Sequence, residues 1–558
     1  MVTAKFFCQL ALGQNWNASS YTWTDVSSYL RSFQGQRGRT YELDTFEPGS
    51  FEFVFRSTDG RFYPGSATAG YSVYTRPWTP IRFGYVWGNV VYERFRGYIE
   101  RAEVNRDPST GRLGGASPRS YGSRYSETVI TATDALGVLA QRFWPMHDDN
   151  GVGNSVTTRV KLGTWATGRT GANWRQANNM GTGTEALRVY AEISRTSRSS
   201  GKIFIFKRTE FDIRYTDQNG NTGQKATLVL SNTRHNKHVH HFHRKRRKHH
   251  HHDKPPHTSG HVEPGHMFEV SLHQGDLLRS VQSMVFKSGE YQGSIILTLW
   301  GERPILQQGT SGTQIAAMLD DFGWPNSLRS IGGGQNTLIP QSPWGSSGLE
   351  VAQEIMDAEL GQLYANRKGL IVFQGRKSRY LAWPSTPTLF GDQPGIPSNP
   401  TSELPYGASV ASRDVDNVYN DVRVTRVGIG NEQPPPQRRV DGTSRNLYGW
   451  RTLDRDTLVT TDVAAGKQAD WILTTQKTPR YRISTLDVLP YRDPARLFQA
   501  VGKLDVSSAV RVRERVPGSS LSSDYWVEAV SESGSASAGW RDYLIEFTLS
   551  PRITHAPY

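Results

Sequence analysis

The sequence predicts a mainly β chain of the α+β class, with a β-sandwich inserted into a longer framework. Three observations predict it. Aromatic residues make up 11% of the 558 residues and glycine supplies 54 of them, a composition suited to pleated, turn-rich structure. Short apolar runs alternate with polar residues at a period of two, while helical periodicity is confined to a few stretches. The texture also breaks twice, near Trp144 and near Gly309, and between the breaks strand-like segments recur with polar loops. A chain of this length exceeds one ordinary core. We therefore expect an N-terminal β-domain over 1–145, an inserted β-sandwich or jelly roll over 146–308, an α/β segment over 309–380 and a C-terminal β-domain over 381–558.

The elements follow in order. "KFFCQLALG" is apolar but soon meets Asn15 and Trp16 and lacks a small-residue cleavage site, so it reads as a first strand and not a signal peptide. "SFEFVFRSTDGRFYP" alternates Phe51, Phe53 and Phe55 before an Asp59-Gly60 turn, a strand-and-hairpin pattern. "PIRFGYVWGNVVYERFRGYIERAEV" reads as two strands around Gly88-Asn89. In "ETVITATDALGVLAQRF" a strand passes into a short helix, with Thr133 or Asp134 as N-cap and Leu136, Leu139 and Phe143 on one face. The inserted stretch offers "ALRVYAEISR", "GKIFIFKR", "ATLVLSN", "HMFEVSLHQ", "QSMVFKS" and "GSIILTLWGER" as strands.

Beyond Gly309, "TSGTQIAAMLDDFGWP" predicts a helix closed by Gly323 and Pro325. A longer helix is expected in "SSGLEVAQEIMDAELGQLY", with Leu349, Ala352, Met356, Leu360 and Leu363 on one face, followed by a strand in "GLIVFQGR". "AWPSTPTLFGDQPGIPSNPTSELP" reads as a Pro-rich linker and "EQPPPQRR" as an exposed loop. "TDVAAGKQADWILTTQ" reads as a capped helix, and the remainder as mostly strands. No repeat of solenoid or propeller length is present.

Chemistry is sparse. Cys8 is the single cysteine, which excludes intrachain disulfides, thiolate zinc clusters and iron–sulfur centres and suits a reducing cytoplasm. The chain has no His-Glu-x-x-His pair, P-loop, Gly-x-Ser-x-Gly elbow or dinucleotide fingerprint. "GTSGT" and "IGGGQ" are glycine-rich without a phosphate-binding lysine, and "HDDNG" at His147 lacks the following glutamate of a calcium loop. Asp320 and Asp321 are neighbours in sequence, so on a helix they point about 100° apart and form no dyad. The expectation is a protein with no catalytic residues, no cofactor and no enzymatic activity.

One run stands apart. Ten of the fifteen histidines lie between His235 and His257, and Arg234–Lys254 carries eight Lys or Arg against Asp253. That loop holds half of the net charge of +14, so the rest of the chain lacks the basic stripe of a duplex binder. Histidine ligands for zinc or nickel are conceivable at His238, His240, His249 and His251. However, the cations Arg244, Lys245, Arg246, Arg247 and Lys248 repel a divalent ion, and no metal site is expected. A solvated basic loop that contacts anionic surfaces remains the plainer reading, with those five residues as the contact.

The framework resembles a known family. "WTDVSSYLRSFQGQRGRTYELDTFEPGSFEFVFRSTDGRFYP" is similar to the opening of minor tail proteins of phages that infect actinobacteria. In the same order follow "RFRGYIERAEV", "TATDALGVLA", "TSGTQIAAMLDDFGWP", "AQEIMDAELGQLYANRKGLIVFQGR", "DVDNVYNDVRV" and "YWVEAVSES…GWRDYLIEFTLSP". The match covers roughly 1–145 and 309–558. Such proteins resemble the central hub of the tail baseplate, the tail-associated tip protein. The resemblance implies barrel-like β-domains with short α/β elements between them. It also implies a virion structural protein at the tail tip, assembled in the host cytoplasm as a homo-oligomeric ring, a trimer or alternatively a hexamer. The implied partners are the distal tail protein, the tail tube and the tape-measure protein, with DNA only in transit during ejection. Two departures qualify it. Residues 146–308 intervene where the family pattern would run on, and no peptidoglycan-hydrolase or fibre domain follows Pro551, so a built-in lysin is not expected. The rival reading is a distal-tail ring, or a receptor- or carbohydrate-binding tail protein that attaches to a host envelope glycan or anionic polymer through the inserted sandwich.

Overall fold

The computed structural model describes residues 4–57, 61–62, 76–105, 127–143, 159–168, 171–176, 186, 188–195, 203–217, 219–230, 261–262, 267–272, 276–292, 295–302, 306–341, 343, 346–396, 399–413, 415–429, 432–516 and 519–555. Mainly β architecture is what it shows, with several sheets and short helices between them. The largest sheet begins with Thr24–Asp25, Lys5–Leu10, Pro80–Trp87, Val90–Asn105, Glu127–Thr133, Glu47–Arg56 and Leu30–Gly38 in spatial order. It continues without a break through Ser519–Ser535, Leu544–Pro551, Arg482–Val488 and Ser409–Ser412. The joint is the antiparallel pair Leu30–Gly38 with Ser519–Ser535, so the two ends of the chain share one hydrogen-bonded surface.

Alternation explains the N-terminal part. Phe51, Phe53 and Phe55 are all fully buried, as period-two strand geometry requires of one face. Phe33 lies 4.2 Å from Phe83 between ring centroids, and Phe6 lies 6.0 Å from Phe33. Leu30–Gly38 is the far strand from Lys5–Leu10 in this half, so these contacts mean that the sheet curls nearly into a barrel around its aromatic core. Gly35 makes room for that core, since a Cβ there would fall 2.3 Å from the Phe51 ring. The Gly88-Asn89 hairpin takes positive φ at both positions (54° and 63°), the geometry of a tight two-residue turn.

Seven α-helices are described: α1 (Ala135–Ala140), α2 (Ser311–Asp321), α3 (Gly348–Glu359), α4 (Lys377–Leu381), α5 (Gly442–Tyr448), α6 (Asp462–Gln476) and α7 (Pro494–Lys503). Asp134 caps α1, accepting from the Leu136 amide at 2.8 Å. Ser347 and Glu350 form a reciprocal capping box on α3. Two three-stranded sheets accompany the helices: Arg329–Ile331, Ile371–Gln374 and Gln362–Ala365 near α2 and α3, and Gln437–Val440, Asp421–Arg426 and Thr452–Thr457 against α6.

Several expectations need correction. The α1 face stops short: the helix ends at Ala140, and Phe143 is 57% exposed. Leu360 is not on the α3 face but ends the helix in the left-handed region (φ 53°), and Leu363 is buried on the following strand. The Pro-rich linker contains Thr388–Gly391, which pairs in parallel with Ala509–Val516 and buries Phe390 in the core. Gln437–Val440, which overlaps the end of the expected loop, is an edge strand. Helix α7 arises in the last stretch, where mostly strands were expected, and α5 in a stretch given no assignment. The Asp59-Gly60 turn and "HDDNG" lie outside the described residues.

Between the framework's two stretches, strands from 159–302 build their own nine-stranded assembly. Arg188–Arg195, Ile295–Glu302, Arg159–Gly168 and Gly171–Gln176 form one layer. Ile203–Asp217, Gln224–Leu230, Leu278–Gln292 and His261–Val262 form the other, and Met267–Ser271 pairs with both. Trp165 of the first layer meets Phe211 of the second edge to face, with centroids 4.9 Å apart. The buried residues of this unit form a hydrophobic cluster separate from that of the framework.

Candidate assembly site

The residues singled out for anionic contact, Arg244–Lys248, and the histidines His238, His240, His249 and His251 lie outside the described residues. Their place in the chain is set by the strand ends that flank them, Leu230 and His261, both in the second layer of the inserted sheets. Among the described residues no cluster of three or more His, Cys, Asp or Glu is arranged to hold a metal ion. No described helix is long and apolar enough to cross a membrane.

The glycine-rich segments form an anion cradle of a kind, and the protein fills it with its own carboxylate. Glu359, at the end of α3, accepts from the Gln335 and Asn336 amides at 3.0 and 2.8 Å and from the Ser311 hydroxyl at 2.8 Å. Arg376 completes the set at 3.4 Å. The Gly312 amide donates to the Gly333 carbonyl at 3.2 Å, so the two segments lie together. Glu359 therefore occupies the site that a phosphate would need.

Similar internal pairing runs along the joint between the two halves. Arg94, on Val90–Asn105, is fully buried and donates to Glu532 of Ser519–Ser535 at 3.0 and 3.1 Å through Nε. Its Nη1 donates to the carbonyls of Val501 (2.6 Å) and Leu504 (3.0 Å) at the end of α7. Tyr543 donates to Glu532 at 2.7 Å, and Tyr85 donates to the Phe498 carbonyl at 2.7 Å. Burial alone would lower the Arg94 pKa, but the Glu532 carboxylate beside it drives it up.

A second buried carboxylate, Glu528, takes Arg39 at 2.8 Å and also Arg379 and Ser550. Burial pushes Glu528 up, but Arg379 and Arg39 outweigh it and hold the carboxyl down at about 2. Asp505 pairs with Arg37, and its Oδ2 accepts from the Arg367 amide at 2.8 Å. The arginine contacts join elements far apart in the chain, whereas Tyr543 and Ser550 reach Glu532 and Glu528 from the neighbouring stretch. These groups are bound to one another and present no free nucleophile or base.

Sequence reasoning quoted Arg37, Arg39, Arg94, Glu359, Arg367, Arg376, Glu528, Glu532 and Tyr543 inside motifs without recognising what they do. The missed signal was a charged residue inside an otherwise apolar strand pattern, as in "ERFRGYI" and "YWVEAVSES".

Outward-facing features were also missed. Trp450 is 58% exposed, with the guanidinium of Arg445 4.6 Å and that of Arg438 5.7 Å from its ring. Leu447 and Val440 are exposed nearby in the chain. Ser409–Ser412 ends the strand order of the large sheet and exposes Val410. Exposed apolar and aromatic side chains on a sheet edge are the usual material of subunit contacts.

No protein-family model matches the chain, and no curated protein matches it. Among solved structures, a tail protein from Neisseria meningitidis MC58 aligns over 99% of this chain and 98% of its own, with 8% identity and a TM-score of 0.44. The 43 kDa tail protein of prophage MuSo2 from Shewanella oneidensis aligns over 98% of both chains, with 8% identity and a TM-score of 0.42. Prophage tail protein gp18 from Listeria monocytogenes EGD-e aligns over 65% of this chain and 94% of its own, with 11% identity and a TM-score of 0.26. All three scores are too low to establish a common fold.

Proposed function

We propose that the chain is a non-catalytic structural protein of a phage tail, a minor tail protein of the hub type. It assembles into a closed ring, most simply a trimer, at the tail tip. There it continues the tube, contacts the distal tail and tape-measure proteins, and opens for DNA delivery. The inserted sandwich faces outward and carries the basic loop Arg244–Lys248 towards anionic envelope polymers.

One observation carries this reading. The sequence motifs that resemble minor tail proteins supply most of the buried charges that join the two halves, and those charges serve construction. Arg37 and Arg39 come from the "RGR" turn, Arg94 from "RFRGYIERAEV", and Glu528 and Glu532 from the closing motif. A chain whose distinctive residues hold a framework together is suited to act as a building part. Native mass spectrometry with negative-stain imaging tests it: a ring with a central opening is expected. Monomers retained on a glycan column would favour the receptor-binding reading instead.

A further inference from the structure

A notch opens where the last strands of the large sheet end at different heights. Ser519–Ser535 pairs with Ala509–Val516 along one edge, from Ser519 to Trp526. On its other edge Leu544–Pro551 reaches it only from Tyr525 onward. Residues 520–524 therefore have a ladder on one side, and among the described residues no strand pairs with them on the other. The gap beside them encloses roughly 340 Å³ and opens to solvent, with Ser522, Asp524, Arg511, Arg552 and Tyr481 in its lining. That volume falls in the range of about 300–1,000 Å³ typical of ligand clefts.

The free edge carries backbone groups. The Arg552 amide donates to the Asp524 carbonyl at 2.9 Å, so that carbonyl points away from Ala509–Val516. Backbone groups alternate sides along an antiparallel strand, so the N–H and C=O of Ser522 and Ser520 point the same way. Residues 520–524 span about 13 Å at ~3.3 Å per residue, enough for a short added strand.

The side chains define what such a strand must carry. Arg511 stands opposite Asp524 and donates to it at 2.6 Å, and Arg552 approaches the same carboxylate at 3.4 Å. Two guanidiniums share one carboxylate, so this face keeps a positive charge. Leu521 stands opposite Glu514 on the other face. Glu514 is already held there, accepting from Tyr481 at 2.8 Å and from Ser409 at 3.3 Å. Leu521 and Tyr481 leave apolar surface on that face, 36% and 40% exposed.

We infer that this notch accepts an extended strand of a partner protein in which acidic and apolar residues alternate. The added backbone continues the ladder at Ser520 and Ser522. Its acidic side chains meet Arg511 and Arg552, whose planar forks suit carboxylates, and its apolar ones cover Leu521 and Tyr481. A failed ring leaves this notch intact, and a failed notch leaves the ring untouched.

The test uses the full chain and the peptide N-acetyl-Val-Glu-Val-Glu-Val amide, followed by saturation-transfer NMR. Saturable binding is expected, with a Kd in the millimolar range. Ser522→Pro removes an outward N–H without touching the ladder to Ala509–Val516, a position at which an edge strand tolerates proline. It should weaken binding about fivefold or more, whereas Ser522→Ala should bind normally. The fully N-methylated peptide asks the same of the unaltered chain and should not bind. Replacing both Glu by Gln, or Arg511→Gln in the chain, should weaken binding by a similar factor. No saturable binding up to about 10 mM peptide would overturn the proposal. Equal binding by the N-methylated peptide or by the Gln peptide would overturn it too. Should Ser522→Pro instead dissolve the chain's own assembly, the occupant is a second copy and the partner strand proposed here is refuted.

Discussion

The framework and the inserted sandwich are both β-rich, yet their interiors are built differently. The framework core is crossed by fully buried carboxylates and guanidiniums, with Arg94, Glu528, Glu532 and Glu359 each less than 3% exposed. The sandwich core is a cluster of aliphatic and aromatic residues from Leu162 to Leu299, and the described buried polar residues of its span are Thr209, Asp217 and Thr298. Apolar burial is tolerant and non-directional. A buried ion pair tolerates one geometry and penalises the rest. The framework is therefore the part whose arrangement is specified in detail.

The largest effect should follow from breaking one side of the Arg94 pair. Arg94→Met leaves Glu532 buried beside Tyr543 without its cation and should cost about 3–5 kcal/mol, read from urea unfolding. The double variant Arg94→Met with Glu532→Leu should recover much of that loss, because no uncompensated charge remains. In the sandwich, Trp165→Ala should cost about 3–5 kcal/mol as well, but within that unit alone. Calorimetry should then show one transition moving down while the framework transition stays.

Acid separates the two regions next. Glu528 is held at about 2 in the folded chain, below its ordinary value of 4.5. A depressed carboxylate contributes stability that is complete above the unfolded value and disappears as pH falls through the folded one. The framework should therefore weaken between about pH 4.5 and pH 2, and Glu528→Gln should flatten that slope while lowering stability at neutral pH. The sandwich transition should not follow this variant.

How much of this could be read beforehand depends on which interaction decides each element. Local signals were sufficient for the Gly88-Asn89 hairpin, the Phe51–Phe53–Phe55 strand and helices α2 and α6, and they narrowed the cap of α1 to Thr133 or Asp134. Turn chemistry, alternation and capping act within a few residues. The strand Thr388–Gly391 was hidden because its partner, Ala509–Val516, lies far along the chain and Pro-rich flanks argued for a linker. Leu360 looked like another turn of α3 because an apolar residue at that spacing fits a helix, whereas Gly361 and the strand after it stop the helix. The joint itself could not be read: nothing in "ERFRGYI" says that its first arginine meets a glutamate more than four hundred residues away.

A smaller effect is expected from removing the sandwich. Replacing 146–308 by a short Gly/Ser linker should leave a soluble framework with its own melting transition, because the sandwich core shares no buried residue with the framework core. Insoluble product would show that the insertion helps to build the framework. The smallest effect should come from replacing Arg244, Lys245, Arg246, Arg247 and Lys248 by Ser. Stability and assembly should stay unchanged, and salt-sensitive binding to anionic envelope polymers should fall.

We propose that the charge-joined framework is a unit of self-assembly. Native mass spectrometry of the full chain, paired with symmetry-resolved images of the same sample, tests it most directly. One closed species is expected, a trimer around a central opening, that the 146–308 deletion still forms. A monomer at every concentration, or a ring that is lost with the sandwich, would contradict it.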